Sequence, residues 1–464
     1  MNKPCHSGHH HLPAFMEKMK NEGLPGLIID TFAGYYNNVL SGETGLISDK
    51  DILPVKSSEV QNSNTLSSYE KTGTRALTKA VMLVLNGGLG TSMGLKGPKS
   101  LIEVKKEKTF LDIIMERTGA KNIQLVLMNS FNTHHDTQLF LSKSGCTNLP
   151  MMFLQHKFPK IFKTGLSPAL WQKNPDLEWN PPGHGDIYAA LYTSGMIEAL
   201  LDKGIEFAFI RNSDNLGATM DTSLLGYFVK HEIPFMMEVA ARTPADSKGG
   251  HLCRHNQGHL MLREIAQCPE QERDAFVDIG RYGFFNTNNL WINLKRLKEI
   301  IENKKMLLLP MILNPKHIDS RDDTSPMVYQ VESAMGAAIS FFKDAVAVQV
   351  PRSRFFPVKK CADLMAVRSN CFIVSNGQVG IHEGKNTELP RIDLDMKYYG
   401  KIDSFDKRFP NGIPDLIHCE TLKIEGDVRF GKNVTIRGKA VIKNTQQYQA
   451  FIEDGKCIEG NILL

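Results

Sequence analysis

The sequence of 464 residues predicts an α/β protein with a mixed, mostly parallel sheet and a small C-terminal β-helix. Short apolar runs of strand length begin at Val81, and segments of helical period lie between several of them. Near the C-terminus an apolar position recurs every six residues. Strands that alternate with helices favour a sheet that helices cover on both faces.

The N-terminal region is predicted to be helical and then irregular. Residues 1–50 carry helical patterning, with a break at Gly23 and Pro25. Residues 57–74 are polar and almost free of branched apolar side chains, which is typical of a surface connection. We therefore predict an N-terminal helical segment and linker over residues 1–75.

The alternating part begins with the strand VMLVL and defines a predicted catalytic domain over residues 76–384. Further predicted strands are IQLVLMNS, MMFLQ, IEFAFI and FMMEVA. Predicted helices are FLDIIMERTG, DTQLFLSKSG and DIYAALYTSGMIEALLDKG; in the last, one face would hold Ile187, Ala190, Leu191, Ser194, Ile197 and Leu201. Such sheets bind ligands beyond the carboxyl ends of their strands.

The C-terminal residues 385–464 are predicted to form the β-helix. One apolar series is Leu422, Val428, Val434 and Ala440, and a second in the same register is Ile424, Phe430, Ile436 and Ile442. Gly426 and Gly438 fall at equivalent turns. This period indicates hexapeptide β-helix coils, with two ordinary hairpins as the alternative.

Composition excludes several classes of protein. A formal charge of +5 on this length is far below that of a typical nucleic-acid-binding protein. The eight cysteines are scattered without a C-x-x-C pair, which argues against a zinc ribbon or a disulfide scaffold. The start lacks the apolar core of a signal peptide, and the most apolar stretch, MLLLPMIL, is too short to span a bilayer. We expect a cytoplasmic protein.

The loop NGGLGTSMGLKGPKS, residues 86–100, follows the first strand. The loop does not match the dinucleotide-binding motif G-x-G-x-x-G, because position 93 is Met instead of Gly. It does not match a Walker A loop either, because Pro98 stands where that motif has a glycine before Lys99. A loop of small residues after a buried strand still lets backbone N–H groups approach phosphate oxygens. Lys99 would add a positive charge. The alternative is a glycine-rich turn with exposed lysines.

Three further segments carry candidate site residues. Asp214 follows the strand IEFAFI and is a candidate ligand for Mg²⁺, although an Asx turn would also explain it. His184 lies between glycines at a predicted helix start, where negative charge is favoured. Lys359 and Lys360 follow Pro357, and adjacent lysines are usually solvated.

Together these segments resemble one family. LNGGLGTSMGLKGPKSLIEV, MNSFNTHHDT, LQHKFPKI, WNPPGHGDIYAAL, RNSDNLGATMD, FFNTNNLWI and RFFPVKKCADLMAVRSN resemble, in order, the eukaryotic UDP-glucose pyrophosphorylases. The resemblance runs from about residue 20 to the C-terminus. It implies a nucleotidyltransferase fold of the GT-A or Rossmann-like type. It also implies the reversible reaction of UTP with glucose 1-phosphate to give UDP-glucose and pyrophosphate.

The resemblance implies roles for individual residues. Lys99 and Lys359 would be catalytic, with Lys359 neutralising the triphosphate, while Lys96 and Lys360 stay open. His184 would bind the sugar phosphate, and Asp214 would hold Mg²⁺. The implied nucleotide-binding residues are Leu85, Asn86, Gly87, Gly88, Met128, Gln155, Gly183 and Asp214. The other implied substrate contacts are Asn212, Ser213, Glu238 and Asn289, the last two with the sugar.

Alternatives to this activity remain at this stage. They are a UDP-sugar or UDP-N-acetylglucosamine pyrophosphorylase, and a catalytically dead regulator that binds UDP-sugars. The C-terminal β-helix is expected to mediate homo-oligomers, because stacked coils end in unpaired strand edges.

Overall fold

The computed structural model describes residues 11–105, 107–146, 148–243, 246, 249–375, 377–385 and 389–464. The first ten residues of the predicted N-terminal segment therefore lie outside the described residues. The helices of the described part are α1 Leu12–Asn21, α2 Gly26–Leu40, α3 Glu70–Ala76, α4 Phe110–Ala120, α5 His134–Lys143, α6 Ile187–Thr193, α7 Met196–Asp202, α8 Thr222–Lys230, α9 Arg273–Val277, α10 Leu294–Lys304, α11 Cys361–Arg368, α12 Met396–Tyr399 and α13 Ile402–Arg408.

The strands of the described part fall into a large central sheet and several small ones. Up to α10 they are β1 Ile52–Pro54, β2 Gln61–Asn62, β3 Ala80–Leu85, β4 Glu103–Lys105, β5 Lys108–Thr109, β6 Gln124–Asn129, β7 Met151–Leu154, β8 Phe158–Pro159, β9 Ile161–Phe162, β10 Trp179–Asn180, β11 Phe207–Asn212, β12 Phe235–Ala241, β13 His251–His255, β14 Leu260–Arg263 and β15 Phe284–Asn293. The later strands are β16 Met311–His317, β17 Met327–Ser333, β18 Val346–Gln349, β19 Phe372–Ser375, β20 Gln378–Ile381, β21 Arg391–Leu394, β22 Cys419–Glu425, β23 Val428–Phe430, β24 Thr435–Lys443, β25 Ala450–Ile452 and β26 Cys457–Leu463.

The central sheet is mixed, as predicted. Its main order is β2-β18-β12-β15-β11-β3-β6-β7, and β15 runs antiparallel to both of its neighbours in this order. The strands β11, β3, β6 and β7 are parallel. Every residue of β3 is buried, which is typical of a strand that is covered on both faces. The register pairs Asn212 with Leu85 and Leu85 with Met128, so these strand ends meet at one edge.

One predicted helix is in fact two. The segment from Ile187 to Asp202 is divided into α6 and α7, and Gly195 between them has φ of 71°. This left-handed conformation interrupts the helical hydrogen bonds and suits glycine. Ile187 and Ile197 are buried as the predicted face requires, but Ser194 is exposed because the face does not continue across the break.

The predicted linker 57–74 is more ordered than its composition suggests. It contains β2, which pairs with β18 at the edge of the central sheet, and the first part of α3. Val60 and Leu66, two of its few apolar residues, are buried. Gly73 lets α3 approach α8 closely, since a Cβ there would lie 1.7 Å from the Thr222 carbonyl oxygen. The segment is a mostly exposed connection, but one that contains regular elements.

The C-terminal part contains two small parallel sheets. Their orders are β21-β22-β24-β26 and β23-β25. The eight apolar repeat positions predicted from the sequence are all at most 1% exposed, which confirms them as core positions. Gly426 and Gly438 were predicted at equivalent turns, and both have positive φ. Gly426 follows β22, but Gly438 lies inside β24 at a register shift, so the prediction of a turn there was wrong.

The C-terminal part shares a hydrophobic core with the region of the glycine-rich loop, residues 86–100. Met93 and Ile102 belong to the same buried cluster as Leu364 of α11 and Tyr399 and Phe405 of the C-terminal helices. The predicted boundary near residue 385 therefore crosses a continuous core. Within the described part of the chain, no helix has both the length and the apolar composition that a membrane crossing needs.

Candidate active site

The glycine-rich loop after β3 folds back on itself. The Lys99 N–H donates to the Gly88 carbonyl at 3.1 Å, and Leu89 forms an isolated antiparallel bridge with Pro98. Gly94 lies in the left-handed region with φ of 78°, which allows the turn. This path places Lys99 beside Gly88 at the carboxyl edge of the sheet.

Asn86 attaches the start of this loop to β6 and α5. Its N–H donates to the Met128 carbonyl at 2.8 Å, and its side-chain Nδ2 donates to Asn129 Oδ1 at 2.7 Å and Thr137 Oγ1 at 3.0 Å. At Gly88, by contrast, a Cβ would meet no atom within 4 Å. The backbone at Gly88 is thus exposed.

Gln155 and Gly183 come together beside Gly87. Gln155 Nε2 donates to the Gly183 carbonyl at 2.7 Å, and a Cβ on Gly87 would lie 3.1 Å from Gln155 Oε1. Ser130, which the sequence did not single out, donates from Oγ to the Gly87 carbonyl at 2.9 Å. Met128 is only 2% exposed, and its side chain belongs to the core. Gly87, Gln155 and Gly183 thus form one small polar surface, here called the polar wall. Met128 lies in the core beneath it.

Lys99 and Asp214 form an ion pair across two loops. Lys99 Nζ lies 2.6 Å from Asp214 Oδ2, and the two side chains are 13% and 14% exposed. The neighbouring Ser213 N–H donates to the Leu85 carbonyl at 3.2 Å, and Asn212 pairs with Leu85 in the sheet. The structure therefore brings together the predicted residues of the first loop and of the segment after β11.

Asp214 has an oxygen available for a metal. Its Oδ1 is buried without a hydrogen-bond partner, while Oδ2 takes the Lys99 ammonium. An orphaned carboxylate oxygen fits a hard cation such as Mg²⁺. Among the described residues no group of three His, Cys, Asp or Glu side chains is placed to hold a metal. A single carboxylate fits a magnesium ion that takes its other ligands from substrate phosphates and water.

His184 is held as a neutral ring. The Met335 N–H donates to His184 Nδ1 at 2.9 Å, so Nδ1 carries no proton and Nε2 is the donor. Burial, and then the charge of Lys359, lower the pKa of His184 from 6.5 to about 4. At neutral pH this side chain can donate one hydrogen bond without adding a charge.

A cavity of about 320 Å³ connects His184 with Lys359. Several polar residues that the sequence did not single out share its lining, and burial raises the pKa of one of them, Glu264. The motif FFNTNNLWI contains Asn286 and Asn288, but the prediction took only Asn289 from it. The polar lining residues that were missed are Glu264, Asn286, Asn288, Asn314, Glu332 and Ser333.

The adjacent Lys359 and Lys360 lie in different environments. Lys359 lines the cavity, whereas Lys360 is the N-cap residue of α11. The backbone N–H groups of both donate to Asp363 Oδ2 at 2.8 Å. Lys96 is exposed on the glycine-rich loop. The geometry therefore distinguishes Lys359 as the lysine that faces the cavity.

Glu238 and Asn289 lie behind the site instead of at its surface. Both are 0% exposed. The four acceptor positions of Glu238 are taken: Oε1 by Trp291 Nε1 and Arg354 Nη2, and Oε2 by Asn289 Nδ2 and Arg354 Nε, at 2.6–3.0 Å. Their predicted contact with the sugar finds no support in this arrangement, because their polar groups already bond within the protein.

The fold and the site define a class of protein. A phosphate-type loop, a lysine and a metal-compatible carboxylate meet at the carboxyl ends of parallel strands, next to a polar cavity. This arrangement is typical of α/β enzymes that act on nucleotides. The family model described as UTP–glucose-1-phosphate uridylyltransferase matches residues 29–437. The chain belongs to this family.

Relatives agree with this assignment. The UTP–glucose-1-phosphate uridylyltransferase of Encephalitozoon cuniculi is 41% identical over 394 residues, which cover 83% of this chain and 78% of that protein. The enzyme of the same name from Saccharomyces cerevisiae is 40% identical over 395 residues, with the same two coverages. A crystal structure of a variant UDP-glucose pyrophosphorylase from Leishmania major in complex with UDP-glucose superposes with a TM-score of 0.91. That chain is 40% identical, and the match covers 98% of this chain and 99% of that one.

Proposed function

We propose that this protein transfers the uridylyl group of UTP to α-D-glucose 1-phosphate, giving UDP-glucose and pyrophosphate in a reversible reaction. The observation that carries the proposal is the Lys99–Asp214 pair beside Gly88, in a chain of this family. The polar wall formed by Gly87, Gln155 and Gly183 lies next to it, where backbone and amide groups can read the edge of a uracil ring. The cavity with His184 and Lys359 would take the sugar phosphate.

The chemistry requires charge neutralisation more than proton transfer. A phosphate oxygen of the sugar phosphate attacks the α-phosphorus of UTP, and pyrophosphate leaves. The nucleophile is already an anion, so it needs no general base. Two polyanions must approach each other, and fixed positive groups lower that barrier through positioning and electrostatic stabilisation. Lys99 and Lys359 supply such charges, and His184 donates a hydrogen bond from Nε2.

Magnesium fits this proposal through Asp214. Its unpartnered Oδ1 would hold the ion. When bound, the ion would neutralise charge on the substrate phosphates. Lys99 would then be free to leave Asp214 for a phosphate oxygen of the nucleotide.

A pyrophosphate-release assay tests the proposed function. UTP and Mg²⁺ are combined with glucose 1-phosphate, galactose 1-phosphate or N-acetylglucosamine 1-phosphate, and ATP replaces UTP as a control. We expect the highest kcat/KM for glucose 1-phosphate. Preference for N-acetylglucosamine 1-phosphate, or equal use of all three, would establish one of the alternative pyrophosphorylases. If UDP-glucose binds in calorimetry but no sugar phosphate is turned over, the protein is the catalytically dead regulator.

The depressed pKa of His184 predicts a pH effect on stability. The ring is neutral in the folded chain down to about pH 4, but in the unfolded chain it takes up a proton as the pH falls below 6.5. Unfolding therefore becomes more favourable between pH 6.5 and pH 4. We expect the melting temperature of the wild type to fall by a few degrees more between pH 7 and pH 5 than that of His184→Gln. Equal falls in scanning calorimetry would show that His184 is not held neutral.

We further propose that the C-terminal strands form a short β-helix that joins copies of the chain. Parallel pairs of Leu422 with Ala440 and of Phe430 with Ile452 support stacked coils. The strand β26 lies at the end of its sheet, and Leu463, Phe451 and Tyr448 are 73%, 54% and 69% exposed. Apolar side chains beside an open strand edge favour pairing with a second copy.

Light scattering tests this assembly. We expect an oligomeric mass for the wild type and a lower mass for the double variant Phe451→Asp/Leu463→Asp. Leu170→Asp is the matched control, because Leu170 is 66% exposed but lies in the catalytic part. A monomeric wild type, or an unchanged oligomer in the double variant, would contradict assembly through this surface.

A further inference from the structure

Asn215 is a buried amide next to the metal-compatible carboxylate. It is 1% exposed, and all four of its hydrogen-bonding positions are used. Nδ2 donates to Asn289 Oδ1 and to the Arg354 carbonyl, both at 3.2 Å. Oδ1 accepts from the Gly217 N–H at 3.2 Å and the Phe356 N–H at 2.8 Å. Because two N–H donors face one end and two oxygens face the other, only an amide in this orientation satisfies the site.

These bonds join two segments that are far apart in the sequence. One segment carries Asp214, and the other, residues 354–358, leads directly into Lys359. The Val358 N–H also donates to the Asp214 carbonyl at 3.1 Å, and Asn215 forms an isolated bridge with Pro357. Pro357 has no N–H to donate, and the side chain of Asn215 adds bonds to the neighbouring Arg354 carbonyl and Phe356 N–H.

The same network is anchored in the central sheet. Arg354 is fixed by its two-pronged ion pair with Glu238 of β12, and its carbonyl accepts from Asn215 and, at 3.4 Å, from Asn289 of β15. Buried, fully bonded polar networks hold their members in one arrangement. The segment before Lys359 and the loop of Asp214 are therefore attached to the same rigid strands through one amide.

We infer that Asn215 is a positioning residue that fixes the carboxylate of Asp214 relative to the ammonium of Lys359. The inference rests on the proposed function, in which both groups act on the phosphates of one reaction. A displacement of about 1 Å between catalytic groups can lower turnover by about 100-fold. Removal of the link is thus expected to lower kcat while UTP still binds.

Two variants of Asn215 test the inference. Asn215→Ala removes all four side-chain bonds. Asn215→Asp keeps the volume and the two accepted bonds but loses both donated ones, and it turns a carboxylate toward two oxygens. For each variant we expect kcat to fall by about 100-fold, with less than about a 5-fold change in the dissociation constant of UTP from calorimetry. Asn444→Ala is the matched control, since Asn444 is a buried amide whose Nδ2 bonds lie within the C-terminal part.

A double-mutant cycle separates positioning from a general structural role. If Asn215 acts through Lys359, then Asn215→Ala in a Lys359→Ala background costs less than about 5-fold in kcat, whereas in the wild type it costs about 100-fold. Additive losses would overturn the inference. Joint loss of UTP binding and a lower melting temperature in both Asn215 variants would also overturn it, because that result describes a purely structural residue.

The proposed function and this inference fail in different ways. A wild type that releases no pyrophosphate from UTP and glucose 1-phosphate contradicts the function. An active wild type whose Asn215 variants keep normal kcat contradicts the inference alone.

Discussion

Replacement of Lys359 by alanine should lower turnover by about 1000-fold and leave UTP binding within a few-fold of the wild type. Lys359 lines the cavity beside His184, and its charge contributes to the lowered pKa of that ring. A cation there would stabilise the negative charge shared by the attacking sugar phosphate and the α-phosphate as the new bond forms, which is a transition-state effect. Its removal therefore affects kcat more than ground-state binding.

Two further variants control this experiment. Lys360→Ala removes the adjacent charge at the start of α11, and we expect it to change kcat by less than about 3-fold, since screened surface charges contribute little. Lys359→Arg keeps the charge but changes its geometry, so it should restore only part of the activity. Kinetics of pyrophosphate release, with calorimetric binding of UTP, provides the measurement. Near-normal turnover of Lys359→Ala would remove this lysine from the mechanism.

Local sequence patterns predicted much of the catalytic sheet. The apolar runs at Val81, Ile123, Met151, Ile205 and Phe235 correspond to β3, β6, β7, β11 and β12. Each is a short, mostly apolar segment, which favours a strand in the interior of the fold. The predicted mixed sheet is confirmed: β12, β11, β3 and β6 lie inside its main order, and β7 lies at one end.

Other strands depend on contacts between distant parts of the sequence, which a local pattern does not reveal. The antiparallel β15 was not predicted as a strand, because its centre, residues 286–289, is polar. Asn286 bonds locally to Asn288, but Asn289 donates to Glu238, which is distant in sequence. The ordered segment 57–74 is another example, since β2 is stabilised by pairing with β18. Long-range pairing of this kind overrides the local preference of polar residues.

The predictions for the site also divide into those that local sequence supported and those that depend on distant contacts. Lys99 and Asp214 were predicted from their loops, and the structure brings their charged atoms within 2.6 Å. Glu238 was expected at the sugar, but it instead binds Arg354 in the core. A sequence shows that a carboxylate is present on a strand, whereas its direction and its partner follow from the packing of other strands.

Replacement of Asp214 by asparagine should abolish both activity and its dependence on magnesium. The substitution keeps the shape but removes the negative charge, so the magnesium ion proposed here would lose its anionic ligand and Lys99 would lose its counter-ion. We expect kcat to fall by about 1000-fold, and the remaining activity to respond little to Mg²⁺ between micromolar and millimolar concentrations.

A nearby carboxylate provides the control for Asp214. Asp221 lies further along the same segment of the chain and is half exposed, and its Oδ1 caps α8 through the N–H groups of Ser223 and Leu224. Asp221→Asn should therefore keep its magnesium dependence and lose only a few degrees of melting temperature. Magnesium titrations of the two variants, read as initial rates of pyrophosphate release, make the comparison. An Asp214→Asn protein that stays active and magnesium-dependent would place the metal on other groups, because asparagine cannot supply the anionic oxygen on which this site depends.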